Sequence, residues 1–350
     1  RIARLGANHQ PLAARIKQEP DPASRYALTL ALGQFDLANM SSQQRQSLEE
    51  QLSALYRDDP EPGVHSAAGW MLRNWQQNQT VTETDTKLKN PLPKQDHNWF
   101  VNSQGQTFTV ANGPVVFMMG EKTERTEPKK VTLSHSFAVA THEVTVAQFQ
   151  KFRIDHEHDA RYAPKPDCPV NMASWYDAVA YCNWLSEQEG LQRCYEPNDK
   201  GEYAEGMKIA ADFLERSGYR LPTDEEWEFV CRAGTTSSYG FGEPVELLTK
   251  YGWYVGNAES HSWPVGVKLP NALGVFDMHG NVWEWCHSLV SPQAGQTDVE
   301  VKTADGRLLR GGSFNLHSSY VRSAIRTSLQ PPNRLTNDGF RPSRTYNLSP

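Results

Sequence analysis

Over the first quarter of the chain, apolar positions fall in short stripes separated by polar turns. DPASRYALTLALGQF carries Tyr26, Leu28, Leu30 and Leu32, with Asp21 or Ser24 placed to cap a helix. A second stripe follows Ser41 and Ser42 through Leu48, Leu52 and Leu55 until DDPEPG ends it, and a third runs from about Val64 to Trp75. Short amphipathic helices joined by Asp/Pro turns cannot bury their faces singly, which is the logic of stacked repeats. The pattern predicts a small all-α, HEAT-like segment over residues 1–76, followed by a polar linker over 77–96.

From residue 97 the pattern shortens. FVNSQGQTFTV predicts a hairpin around Gln104 and Gly105, and GPVVFMMG and KKVTLSHSFAVATHEVT predict further short strands. VTVAQFQKF puts Val146, Phe149 and Phe152 on one helical face. SWYDAVAYCNWLSEQEG predicts a helix capped by Ser174 and stopped at Gly190. RLPTDEEWEF starts another helix, with Pro222 expected at its first position and acidic groups in its first turn. The rest is loop-rich, so residues 97–350 read as one α+β domain with little regular structure. Eight of the ten Trp lie at or after Trp99, a supply of large rings for such a core.

Charge narrows the function. A net charge of -6 argues against nucleic acid as a partner, which calls for a basic stripe. Residues 77–304 carry 20 basic and 31 acidic side chains, whereas residues 305–350 hold seven Arg, no Lys and only Asp305 and Asp338. Arg makes planar, two-pronged contacts with carboxylates, so this set suits internal pairing with the acidic middle. No apolar run reaches the roughly 18–20 residues of a membrane span. The five Cys (168, 182, 194, 231, 286) form no CxxC pair, and two sit in apolar patterns, which points to a reducing, cytoplasmic setting.

Seven ordered motifs then carry a resemblance: EVTVAQFQKF, PVNMASWYDAVAYCNWLS, GYRLPTDEEWEFVCRAG, GVFDMHGNVWEWC, LRGGSF, VRSAIR and GFRPSRT. Together, over roughly residues 99–347, they resemble the formylglycine-generating enzyme, or sulfatase-modifying factor, domain. The resemblance implies a C-type lectin-like fold with a loop-built ligand surface. Active members carry two cysteines in a Cys-His-x-Ser-Tyr-Cys pattern that bind copper(I) and oxidise a sulfatase cysteine with oxygen. Here the pattern reads Leu316, His317, Ser318, Ser319, Tyr320, Val321. Leu and Val offer no thiolate to a soft metal, so no copper is expected.

The resemblance also implies a structural calcium held by Asp277, Gly280, Val282 and Glu284, although an Arg of the C-terminal set could stand in for the cation. Ergothioneine-type sulfoxide synthases share the fold but bind iron through histidines of an added helical domain; the helices here hold only His65. DHEHD (155–159) is expected to be a solvated loop, and His142, His279 and His287 packed or hydrogen-bonded core histidines. The segment 315–338 sets aperiodic side chains between the fixed motifs. Asn315, Leu316, His317, Ser318, Ser319, Tyr320, Ile325, Thr327, Leu329, Gln330, Arg334, Leu335, Thr336 and Asp338 are the candidate ligand-binding residues. This resembles the display surface of variable proteins of diversity-generating retroelements. The expectation is a non-catalytic module that binds a protein or other macromolecule. The alternatives are a non-haem metal, oxygen-dependent oxidoreductase and an accessory domain of a serine/threonine kinase.

Overall fold

The computed structural model describes residues 9–35, 40–90, 96–124, 126–290 and 300–346. The first part is helical: α1 (Gln10–Gln18), α2 (Pro22–Leu32), α3 (Ser42–Asp58), α4 (Pro62–Asn74) and α5 (Asn78–Leu88). Asp21 caps α2 by accepting from the Ser24 amide, and Ser41 and Gln44 form a reciprocal capping box on α3. Leu48, Leu52, Tyr56, Met71, Leu72 and Trp75 build a separate core. The stretch expected to be a polar linker carries α5. Thr82, Thr84 and Thr86 return their hydroxyls to carbonyls one turn back, and Val81 is buried in the helical core. One apolar anchor and tertiary packing outweigh the polar composition there.

Next come β1 (Trp99–Val101), β2 (Thr107–Ala111), β3 (Val115–Met119), β4 (Lys129–Leu133), β5 (Phe137–Ala140), α6 (Val146–Phe152) and α7 (Trp175–Gln188). They are followed by β6 (Tyr195–Glu196), β7 (Lys208–Ile209), β8 (Tyr219–Arg220), α8 (Asp224–Arg232), α9 (Leu248–Tyr251), β9 (Trp283–Leu289), β10 (Arg307–Arg310), β11 (Arg326–Leu329), β12 (Asp338–Gly339) and β13 (Ser343–Thr345). The expected hairpin is β1–β2, turning at Gly105 with φ +81°. One sheet runs β1-β2-β5-β13-β8, so the last strand closes beside the first ones; a second runs β11-β10-β9-β12, and β3-β4 and β6-β7 form two-stranded sheets. This is the expected α+β, C-type lectin-like architecture. Thr145, Ser174 and Thr223 cap α6, α7 and α8 with capping boxes. Pro222 therefore precedes the cap and is not the first helical residue. The Thr223–Glu226 box sets the first helical residue at Asp224, two residues later than the proline signal suggested.

Trp175, Trp227 and Trp285 are fully buried. All five cysteines are free and buried. The helical part seats on the second domain through donors on large rings: Tyr26 to the Pro270 carbonyl (2.6 Å), Trp70 to Val267 (2.9 Å) and Trp99 to Asp59 (2.7 Å). At Gly63 a Cβ would stand 2.3 Å from the Ala272 carbonyl oxygen, so the two backbones meet where a side chain has no room. Among the described residues no helix is long and apolar enough to cross a membrane.

Candidate functional site

After β10 the chain turns through Gly311 and Gly312, at φ +90° and +75°. A Cβ on Gly312 would lie 2.6 Å from both the Tyr320 carbonyl and Val321 Cγ1, so the glycine lets the following loop fold back on itself. The turn Ser318–Tyr320 leads to Val321, which is fully buried with Tyr239 and Leu248. His279 pins the loop from beneath. Its Nδ1 lies 2.9 Å from the Val321 carbonyl, and its Nε2 3.0 Å from the Gly240 amide. An amide can only donate, so Nε2 accepts and Nδ1–H donates. Burial pushes His279 down to about 4. Its role is the expected hydrogen-bonded core histidine.

The candidate residues divide by burial. Asn315, His317, Ser319, Tyr320, Thr327, Gln330, Arg334 and Leu335 are exposed, and Tyr320 and Leu335 are 54% and 41% accessible despite their apolar surface. Ser318 and Thr336 are half-buried. Leu316, Ile325 and Leu329 turn inward and pack on the main core. Asp338 is buried, with neither carboxylate oxygen hydrogen-bonded. Desolvation alone raises it to about 7. Asn337, which the sequence reading passed over, donates from Nδ2 to Ser313 Oγ at 3.2 Å and Asn315 Oδ1 at 3.4 Å, tying two parts of the face together. Nothing in its sequence context separates it from an ordinary loop Asn.

Arginines hold the face in shape, as the charge asymmetry predicted. Arg322 grips both oxygens of Glu121 (2.5 and 2.6 Å) and donates to the Ser319 carbonyl. Arg334 pairs with Asp177, which completes the Ser174 capping box of α7, and Arg344 with Glu189. Arg310 and Arg326 share Asp224 and Glu228 beneath β11. Burial would raise Glu228, but Arg310, the Gly120 amide and Arg232 hold it below the usual carboxylate range. Arg307 donates to the His287 carbonyl and lies over the Trp175 ring. The loops are thus clamped in advance, which lowers the ordering cost of binding.

At the expected calcium residues, the Glu284 carboxylate is already engaged. Arg341 donates Nε to Oε2 and Nη2 to Oε1, both at 2.6 Å, and Trp227 Nε1 adds a bond at 2.8 Å. Asp277, at φ +59°, accepts from the Gly266 amide through Oδ2 and leaves Oδ1 buried without a hydrogen bond. Among the described residues no three or more His, Cys, Asp or Glu are grouped to hold a metal. At Glu284 the positive partner is Arg341, whereas Asp277 Oδ1 remains an unbonded oxygen of the kind calcium takes. In the DHEHD loop, Asp155 and Glu157 are exposed as expected, Asp159 pairs with Arg161, and His156 is instead buried and bonded to the Asn171 carbonyl.

The chain matches the sulfatase-modifying factor enzyme 1-like domain over residues 93–346. It is 32% identical over 187 residues to chaperone protein LppX of Paenibacillus barcinonensis, covering 45% of this chain and 64% of that protein. It is 30% identical over 237 residues to the formylglycine-generating enzyme of Thermomonospora curvata, covering 59% and 76% respectively. Among solved structures, Treponema denticola variable protein 1 superposes with a TM-score of 0.57 at 26% identity, covering 68% of this chain and 95% of that one.

Proposed function

Because the chain belongs to the sulfatase-modifying factor enzyme 1-like family, we propose that it uses that scaffold to bind, without oxidative catalysis, a protein ligand through the face built by residues 315–338. The observation that carries the reading is the fate of the two positions where the resemblance places copper-binding thiols. Val321 is a fully buried core residue and Leu316 packs on the main core. Neither can supply a thiolate, and a saturated hydrocarbon side chain has no lone pair for a soft metal. The same loop exposes Tyr320, and Leu335 is exposed further along the 315–338 segment. Tyr is enriched at binding hot spots, because it offers a large contact area with few rotatable bonds and a polar tip. The likeness to a Treponema variable protein supports the same reading. A face of fixed backbone and exchangeable exposed side chains is what a display surface requires. Calcium has no part in this reading, since Arg341 neutralises Glu284.

The test compares the wild-type chain with Tyr320→Ala/Leu335→Ala in quantitative affinity capture from the source organism. The reading expects at least one protein held by the wild type and depleted about tenfold or more by the double variant. Equal capture by both, or oxygen-dependent conversion of a cysteine peptide to an aldehyde by the copper-loaded wild type, would overturn it.

A further inference from the structure

A cavity of about 340 Å³, whose lining includes none of residues 315–338, lies at the seam with the helical segment. Its wall combines Arg73 and Asp85 from the helices with Gln106, His142, Glu143 and Gly266 of the second domain. That volume is at the small end of ligand pockets. Arg73 and Asp85 face each other at 3.8 Å, and Asp85 also accepts from the Tyr56 hydroxyl. The helical wall is therefore closer to neutral than its charges suggest.

The opposite wall presents acceptors. Glu143 is 1% exposed; its Oε2 has a long bond from Asn281 Nδ2 (3.4 Å), and its Oε1 is buried with no hydrogen-bond partner. A buried carboxylate oxygen left unpaired is costly, so its retention calls for a donor. The tautomer of His142 follows from its neighbours. Thr141 gives its hydroxyl proton to the Thr107 carbonyl at 3.1 Å, so at 3.0 Å it accepts from His142 Nδ1–H. Burial keeps the ring neutral, its pKa far below the ordinary histidine value. Nε2 is then an acceptor. Gly266, at φ +72°, packs its backbone against the ring where a Cβ would stand 2.5 Å from Nε2, so a ligand reaches this nitrogen only from the cavity that both residues line.

We propose that this cavity is a binding site for a small polar ligand bearing a protonated primary amine, with the ammonium donating to Glu143 Oε1 and His142 Nε2. Burial, with Asp277 close by, raises the Glu143 carboxyl well above the usual carboxylate range, although Arg341 opposes it. An ammonium brings three donors and the positive charge that favour the carboxyl's ionised form. The site is separate from the 315–338 face, and neither reading depends on the other.

The test uses the full chain at pH 7.5, with ethanolamine and 1,4-diaminobutane as probes and ethylene glycol and acetate as neutral and anionic controls. Calorimetric titration and thermal unfolding are read together. The expected result is saturable binding of at least one amine, with a Tm rise of about 2–4 °C at ten times its Kd, and no response to either control. Glu143→Gln should weaken amine binding about tenfold or more. Asn78→Trp, at the exposed mouth, should block it while leaving Glu143 untouched, so the proposal stays testable if the buried variant folds poorly. No response to either amine, equal response to ethylene glycol, or unchanged amine binding in Asn78→Trp would overturn it.

Discussion

The Nδ1–H of His279 donates to the carbonyl of Val321 at 2.9 Å, and this bond divides the loop into a buried anchor and an exposed tip. Val321 beside it is fully buried, while Tyr320 one residue earlier is 54% exposed. Val321→Ala should therefore destabilise by about 2 kcal/mol through lost burial and a residual cavity. Tyr320→Ala should stay within about 0.5 kcal/mol. Urea unfolding of both variants checks the split, and equal costs would refute the division.

Asp338 predicts an unusual pH response. Its carboxyl is raised to about 7 by desolvation. A raised carboxyl costs stability once pH exceeds the unfolded value near 4, and the cost grows until pH reaches about 7. Asp338→Asn should accordingly stabilise by about 2–4 kcal/mol at pH 8 and much less at pH 5. Chemical unfolding at the two pH values reads the difference. A gain that does not change with pH would refute the assignment.

Glu226 works in the opposite direction. Burial would raise it, but Arg220, doubly bonded at 2.6 Å, and His135 hold it down to about 2. A depressed carboxyl contributes stability that is present above the unfolded value near 4.5 and is lost as pH falls through the folded value. Glu226→Gln should thus remove on the order of 3 kcal/mol at pH 7 and have little effect near pH 2. Urea titrations across that range test it; a constant penalty would contradict the charge account.

The Arg341–Glu284 pair bears on calcium. Because the guanidinium already meets both carboxylate oxygens, treatment with a chelator should move Tm by less than about 1 °C. Arg341→Met should be severe, by about 3–5 kcal/mol, because it leaves Glu284 buried and unpaired. A large chelator-induced fall in Tm, with calcium bound stoichiometrically, would show that a cation shares the site.

Much of this was readable from the sequence because the signals are local. Asp21, Ser41 and Ser174 announce their helices by capping chemistry, and Gly105 its turn. The all-Arg C-terminal set was readable too, since planar guanidiniums opposite an acidic middle have few other uses. Partner choice was not readable. Arg322 reaches Glu121 and Arg341 reaches Glu284 across long sequence separations that only the fold defines. The candidate face was legible as a segment but not residue by residue. Leu316, Ile325 and Leu329 pack inward, and Asp338 is buried beside Trp283. An aperiodic loop gives no alternation from which to read inside from outside. Glu143 escaped notice for a related reason: within THEVTV a single acid looks like a strand's solvent-facing position, whereas it is buried.

The central claim is that the scaffold binds without oxidising. The direct measurement is metal content and oxygen uptake of the purified chain, before and after copper(I) loading, with a cysteine-containing peptide present. The account predicts no stoichiometric copper or iron and no peptide-dependent oxygen uptake. Stoichiometric metal with oxygen consumption coupled to loss of the peptide thiol would contradict it.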